Sequence, residues 1–326
     1  MNTYRLPPGS PSFLPHPQWV PFRLMLTGGA AYGGRLFVIT ARVAPDLGPY
    51  SSAYASWSDR FRDSAYLGAP ATKANMATIQ QRDYFAEQLL LMVGKNAELL
   101  PNEKVTGFLS IAGDLYNNEL MVVGRAVNGW TDGVFPGQLA DLQLAAEYAE
   151  TVFASAVRKC HCSMSWVIEC WANPDPDGYN TKRSPFWRVI REVVSELGIG
   201  EPEKVLWPSH LVWSNLYKVS PARGGNPNKT LRGFQLPGCI ALLQHEISDY
   251  FPRRLLFLTG LDWARPFLEN IVPTFTLVSG NEHVEAKAQI FHNTGVESRI
   301  VVAAHPQGKN EVDWVQEVMK AFQFDG

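Results

Sequence analysis

A series of short apolar runs, each ending in glycine or in polar residues, most constrains how this chain can fold. The runs are Glu119–Gly124 (ELMVVG), His210–Leu216 (HLVWSNL), Arg254–Gly260 (RLLFLTG) and Arg299–Ala304 (RIVVAA). Continuous runs of this kind are typical of strands that are buried on both faces of a parallel sheet. Segments with helical apolar spacing separate them, among them Gln138–Val157 and Pro237–Tyr250. The alternation predicts an α/β fold with a mainly parallel sheet.

The polar ends of these runs are where the sequence predicts a functional site. In parallel α/β sheets, ligands bind in the crevice outside the carboxyl ends of the strands. The segments that follow the runs are therefore expected to form the site, and they are Gly124–Trp130, Asn215–Lys218, Gly260–Trp263 and His305–Lys309. The glycines in the first of these segments would let the backbone approach a ligand closely.

The charge balance restricts the partners of the chain. Lysine and arginine number 29 against 31 aspartates and glutamates, so the net charge is −2 and a globally basic nucleic-acid binder is excluded. The stretch from Lys204 to His245 differs, because it holds five cations and no carboxylate: Lys204, Lys218, Arg223, Lys229 and Arg232. Such a stretch is either a strip that contacts nucleic-acid phosphates or an ordinary solvated loop, and both interpretations stay open.

Targeting and cysteine patterns favour a soluble, cytoplasmic protein that has no membrane-spanning segment. The first residues lack the basic region and apolar region of a secretory signal, and no apolar run approaches the roughly 18 residues that span a bilayer. Four cysteines are too few for a disulfide framework in a chain of this length. Cys160, His161 and Cys162 stand together, but the paired Cys-x-x-C spacing of a zinc or iron–sulfur site is missing, so we expect no metal.

Taken in chain order, the strand-end segments resemble the uracil-DNA glycosylase superfamily over residues 80–326. The glycine-rich loop that follows the first strand in that superfamily corresponds to Gly124–Trp130. The sequence WSNLYKVSP puts Asn215 where the superfamily has its base-reading asparagine. Leu258-Thr259-Gly260 matches a strand end that precedes a helix, and His305-Pro306-Gln307-Gly308 matches the HPS-type loop. The resemblance depends on the order of these four motifs, each of which follows an apolar run.

The resemblance implies a three-layer α/β domain over residues 81–326, with a central, mainly parallel four-stranded sheet flanked by helices. Residues 1–80 are expected to form an irregular N-terminal extension packed on this domain. No cofactor is implied. One branch of the superfamily holds an iron–sulfur cluster on four cysteines, but here Cys239 alone falls at such a position and Val219 occupies another, so no cluster is expected.

The resemblance also implies base excision in DNA repair. The protein would bind single- or double-stranded DNA, take a deaminated or damaged base out of the stack, and hydrolyse its N-glycosidic bond. Asn215 would read the edge of the base, and His305 would stabilise the negative charge that the leaving base acquires. The rest of the base pocket would be Phe135 or Trp130 as the stacking aromatic, with Gly124, Arg125 and Ala126.

Two further groups of residues complete the implied site. Contacts to DNA phosphates would come from Lys218, Arg223, Gly308 and Lys309. Several branches have their water-handling residue one or two positions after the first glycine, where this chain has Arg125 and Ala126. Neither side chain accepts a proton, so Asn128 or Asp132 would take that role, or the base would leave by a largely dissociative route with little help. The alternatives are a nucleic-acid binder of the same fold that does not cut, and a hydrolase of a small nucleoside-like ligand.

Overall fold

The computed structural model describes residues 73–157, 164–172, 179–200, 206–292 and 297–323. The predicted N-terminal extension lies outside these residues, except for its last eight positions, 73–80, which belong to the first helix. The described helices are α1 (Lys73–Met92), α2 (Leu142–Val157), α3 (Trp166–Ala172), α4 (Pro185–Glu196), α5 (Lys229–Tyr250), α6 (Leu261–Ile271) and α7 (Glu311–Phe322). The described strands are β1 (Val105–Gly107), β2 (Ile111–Ala112), β3 (Leu120–Ala126), β4 (Leu211–Tyr217), β5 (Val219–Pro221), β6 (Arg254–Phe257), β7 (Phe275–Leu277), β8 (Val284–Phe291) and β9 (Glu297–Ala303). Short 3₁₀ helices lie at Gly94–Leu99, Pro136–Leu139, Thr181–Arg183 and Trp207–His210.

The main sheet has a parallel centre and antiparallel edges. Within the described ranges its seven strands run in the order β2-β4-β3-β6-β9-β8-β7, and the neighbours from β4 to β9 are parallel. The strand β2 is antiparallel to β4 at one edge, whereas β8 and β7 add antiparallel strands at the other. A second sheet pairs β1 with β5. The predicted α/β class is confirmed, but the sheet exceeds four strands because β8, with its alternating buried and half-buried residues, continues it beyond β9.

Helices cover both faces of the sheet, because its central strands are apolar on both sides. Successive side chains of a strand point to opposite faces, and along β3 Met121 and Val123 belong to one buried cluster while Leu120 and Val122 belong to another. The first cluster also contains residues of α1, α2, α5 and α6, and the second contains residues of α3, α4 and α7. Three layers result. Burial of both faces explains why the apolar runs of the central strands do not alternate with polar residues.

The parallel register brings the polar strand ends to one edge of the sheet. Gly124 of β3 is the register partner of Asn215 of β4. The residues that follow β6 remain hydrogen-bonded to both neighbouring strands. The Leu258 amide donates to the carbonyl of Val123 in β3, and the Gly260 amide donates to the carbonyl of Ala303 in β9, each at 2.9 Å. The segments predicted to form the site therefore share one edge.

Candidate functional site

A cavity of about 780 Å³ lies at the carboxyl ends of β3 and β4. Three segments that the sequence singled out converge on it: the loop 124–130, the end of β4 and the loop after β9. The predicted residues that line it are Gly124, Arg125, Ala126, Asn128, Trp130, Asn215 and His305. A volume of this order suits a ligand larger than a single nucleobase, because pockets for drug-sized ligands span roughly 300–1,000 Å³.

The carboxamide of Asn215 is a deeply buried polar group in the cavity wall. Asn215 is 2 % exposed, and its Nδ2 has no hydrogen-bond partner among the described residues. A Cβ on Gly124 would overlap its Oδ1, so the glycine makes room for the amide. A buried donor without a partner costs about 1–3 kcal/mol. An acceptor atom of a ligand at this point would recover that free energy.

His305 follows the last parallel strand and is half-buried in the same cavity. Its Nδ1 accepts a hydrogen bond from the backbone amide of Gln307 at 3.3 Å, so the neutral ring carries its hydrogen on Nε2. Burial lowers the pKa of His305, and the positive charge of Arg125 lowers it further. At neutral pH the ring is therefore an uncharged donor through Nε2.

Arg125 connects two of the strand ends. Its Nε donates to the carbonyl of Thr259 at 2.7 Å, and its guanidinium lies 5.4 Å from the centre of the Trp263 ring. Burial lowers the pKa of Arg125, and the carboxylates of Glu285 and Asp262 partly offset this shift. The side chain thus joins the ends of β3 and β6 and supplies a positive charge beside His305. The neighbouring Ala126 is the register partner of Tyr217 in β4.

Asn128 and Trp130 have structural contacts that limit what they can do in the cavity. The Oδ1 of Asn128 accepts a hydrogen bond from the amide of Gly225 at 2.6 Å, which ties the first loop to the loop after β5. The Trp130 ring packs edge-on against Trp166 and Trp213, with centroids 5.4 and 5.3 Å apart. The Asn128 oxygen that would orient a water is therefore already a hydrogen-bond acceptor.

Two of the residues predicted for catalysis and base binding lie outside the lining of the cavity. Asp132 is exposed, and its backbone carbonyl accepts from the Tyr148 hydroxyl at 3.3 Å. Phe135 begins the 3₁₀ helix Pro136–Leu139 and is 40 % exposed, with the Lys104 ammonium 5.6 Å from its ring centre. Because Asp132 lies outside the lining, no carboxylate is found among the described residues that line the cavity.

The assignment of Lys218 to a DNA phosphate needs correction. Its side chain is fully buried, and its Nζ lies 2.6 Å from Oε1 and 2.8 Å from Oε2 of Glu246. Ser214 directly precedes Asn215 in the sequence. Its hydroxyl accepts a hydrogen bond from the same ammonium at 2.7 Å and donates one to Glu246 at 2.6 Å. This network lies behind the strand that carries Asn215 and has no access to a phosphate.

The other predicted phosphate contacts are at the surface of the protein. Arg223 is 81 % exposed and pairs with Glu103 at 3.1 Å. Lys309 lies 3.6 Å from Glu282, and Gly308 occupies an exposed turn with φ of +75°. Lys204, from the same basic stretch, lies outside the described residues. Lys218 is buried and therefore does not contribute to the basic surface strip that the sequence left open.

An aromatic wall is the part of the site that sequence reasoning missed. Trp166, Trp187 and Trp213 line the cavity and pack on one another with centroids 5.3 to 5.4 Å apart. Phe186 also lines it, and its Cε2 is 3.5 Å from where a Cβ on Gly124 would lie. Phe186 is thus beside the Asn215 amide. Serine followed by proline, as at Ser184 and Pro185, is typical of a helix start, but such a local pattern does not specify which face the helix presents to the sheet.

The described residues show neither a candidate metal cluster nor a membrane-spanning helix. They contain no group of three or more histidine, cysteine, aspartate or glutamate side chains that could hold a metal ion. Cys160, His161 and Cys162 lie outside them. Cys239 is buried in α5, where burial raises its pKa to about 12. None of the described helices combines the length and apolar character needed to cross a membrane.

Comparison with known proteins assigns the chain to no family. No protein-family model matches it, and no curated protein matches it significantly. A function therefore has to be inferred from the cavity and from the side chains around it.

Proposed function

We propose that this protein takes a nucleobase out of DNA, binds it in the cavity and cleaves its N-glycosidic bond, as a uracil-DNA glycosylase-like enzyme. The observation that carries the proposal is the partnerless Nδ2 of Asn215, which is buried in the wall of a cavity that His305 also lines. The reacting bond is out of reach inside a duplex, so such chemistry requires an extruded base.

Base recognition combines one polar edge with one aromatic face. The Asn215 amide donates to a carbonyl oxygen of the base, which uracil, hypoxanthine and xanthine all carry. Phe186 lies beside that amide, as the contacts around Gly124 indicate, and supplies the stacking surface. Stacking of a base on an aromatic side chain contributes about 1–3 kcal/mol.

The chemical step uses His305 as a neutral donor. As the bond between the sugar and the base nitrogen breaks, its electron pair leaves with the base, and negative charge develops on the base oxygen. The Nε2 hydrogen of His305 is available for that oxygen because Nδ1 is engaged by Gln307. One fixed donor of this kind lowers such a barrier by about 3 kcal/mol.

Water enters after the base has begun to leave. With no carboxylate among them, the described lining residues offer no strong base to activate water before the bond breaks. The electron-deficient sugar that remains is reactive enough to capture water, which then loses its proton to solvent. This route implies slow turnover. It also favours a second candidate, a protein of the same fold that binds extruded bases without cutting.

One assay separates the candidates. The protein is incubated with single- and double-stranded oligonucleotides that carry uracil, hypoxanthine or xanthine, and abasic sites are revealed with alkali. Excision that disappears in Asn215→Ala and His305→Ala supports the enzyme. The matched controls Asn270→Ala and His245→Gln change exposed residues outside the cavity lining. Gel retention without cleavage supports the non-cutting binder, and turnover of free nucleosides alone contradicts both.

A further inference from the structure

The N-terminal turn of α4 forms part of the cavity wall. Ser184 is the N-cap of this 12-residue helix and Pro185 its first residue, and both line the cavity together with Phe186 and Trp187. The first amides of a helix have no partner within the helix and carry a partial positive charge. Such an end favours a negatively charged group.

The N-cap serine does not satisfy these amides. A serine at this position usually accepts a hydrogen bond from the second or third amide of the helix. Ser184 accepts none from them, and its Oγ instead accepts from the Tyr179 hydroxyl at 2.8 Å. Pro185 has no amide hydrogen, so the amides of Phe186 and Trp187 are left without a side-chain acceptor.

Trp166 gives independent evidence that an acceptor belongs here. Its side chain lines the cavity and packs edge-on against Trp187, with centroids 5.4 Å apart. Trp166 is 8 % exposed, and its Nε1 has no hydrogen-bond partner among the described residues. Trp213, which contacts both rings, is also 8 % exposed with a partnerless Nε1. An indole nitrogen can only donate, so the missing partner is an acceptor.

The charged side chains among the described residues that line the cavity have one sign. Arg183 lines the cavity, is exposed, and forms no ion pair with any residue that the structure describes. The lining contains no described carboxylate that could compete with an anion. A guanidinium binds phosphate oxygens in a bidentate manner, which makes it well suited to this role.

We infer that the N-terminal turn of α4, together with Arg183 and Trp166, is a subsite for a phosphate group. Its donors share the cavity with Asn215, so one nucleotide could occupy both places, with the base at Asn215 and the phosphate at α4. Only the base half of this ligand rests on the proposed function. The phosphate belongs either to a DNA strand or to a free nucleotide.

The test measures binding of inorganic phosphate by calorimetry and then compares uridine, uridine 5′-monophosphate and a uracil-containing single-stranded oligonucleotide.

Arg183→Gln is expected to weaken phosphate binding about tenfold or more, because a charge-assisted hydrogen bond is lost. Ser184→Asp is expected to abolish it, since the carboxylate occupies the end of the helix. Aspartate is also a good N-cap, so the melting temperature should not fall. Lys182→Gln removes the same charge one position away, outside the lining, and should bind phosphate normally.

Absence of phosphate binding in the wild-type protein, or equal binding in Ser184→Asp, overturns the subsite. A gain in affinity from uridine to its monophosphate supports a free nucleotide as the ligand, and a further gain with the oligonucleotide supports DNA. If phosphate binds as described but no uracil-containing ligand gains from Asn215, the proposed function fails while the subsite stands. If excision occurs and Ser184→Asp leaves substrate affinity unchanged, the subsite alone fails.

Discussion

The carboxamide oxygen of Asn215 occupies the space that a Cβ would need on Gly124, its register partner in the neighbouring parallel strand. Any other residue at position 124 would push the amide aside, because its Cβ would overlap that oxygen. The glycine of the first motif thus acts on the site by leaving space beside it. Its effect on chemistry is indirect, through the position of a side chain that lies 91 residues further along the sequence.

Gly124→Ala should therefore impair ligand binding more than folding. The displaced Asn215 amide should weaken binding or excision by up to about 100-fold, the loss that a misplacement of about 1 Å can cause. Overpacking should cost about 1–3 kcal/mol of unfolding free energy. Oligonucleotide binding and urea denaturation measure the two effects. Gly137→Ala is the control, because a Cβ there meets no atom within 4 Å. Equal effects of both substitutions would contradict this role of Gly124.

Lys218 and Glu246 should behave as a structural pair. Lys218→Met leaves the carboxylate of Glu246 buried without its cation, which should lower the free energy of unfolding by about 3–5 kcal/mol. Replacing both, as Lys218→Met with Glu246→Leu, should recover most of that loss, and urea denaturation measures it. The exposed Lys229→Met is the control. A change in the salt dependence of DNA binding in folded Lys218→Met would instead favour the original phosphate assignment.

His305 should titrate below its ordinary pKa of 6.5. Burial and the charge of Arg125 both disfavour its protonated form, so Arg125→Met should raise the pKa measured by NMR. Arg253→Met, which removes an exposed cation paired with Glu119, is the control and should leave it unchanged. A His305 pKa at or above 6.5 in the wild-type protein would contradict the environment described for it.

The titration of His305 makes the free energy of unfolding depend on pH. The unfolded chain binds this proton more readily than the folded protein, so the contribution of His305 is fully present above about pH 6.5 and is lost as the pH falls toward the lowered pKa. Urea denaturation at several pH values measures it. His305→Gln should reduce this dependence, while His292, whose pKa burial also lowers, supplies a further part. An unchanged pH profile in His305→Gln would show that the group does not contribute.

Phe186 and Phe135 can be distinguished directly as stacking residues. Phe186→Leu should weaken binding of a uracil-containing oligonucleotide about fivefold or more, since base–aromatic stacking contributes about 1–3 kcal/mol. Phe135→Leu, outside the cavity lining, should leave it unchanged. Fluorescence anisotropy measures both affinities. The reverse result would restore Phe135 to the role that the sequence suggested and remove Phe186 from the site.

The strand ends could be predicted because the information for them is local. A strand buried on both faces needs a continuous apolar run, and β3 at Leu120–Ala126 largely coincides with the run Glu119–Gly124. The edge strand β7 has a weaker apolar pattern in the sequence, because its residues are half-buried or exposed. The polar residue that follows each central strand is then recognisable without knowledge of the packing.

The direction of a side chain at such a strand end was not predictable. Lys218 is a cation just before a loop with many polar residues, and a lysine in such a position is usually exposed to solvent. Its burial depends on Glu246, 28 positions later in α5, and on the Ser214 hydroxyl. A buried charge is tolerated when a partner of opposite charge meets it, and only the packing of α5 against β4 brings that partner into reach.

By itself, the sequence determined that this chain forms an α/β sheet and that glycine, asparagine and histidine lie at the ends of its central strands. Apolar periodicity and strand-end chemistry are properties of a few neighbouring residues, so they can be recognised along the chain. Only the tertiary structure decided which side chains share the cavity. It brought Trp166 and Phe186 to the wall and left Asp132 outside it. Those positions depend on how helices distant in sequence pack on the sheet, which no local pattern specifies.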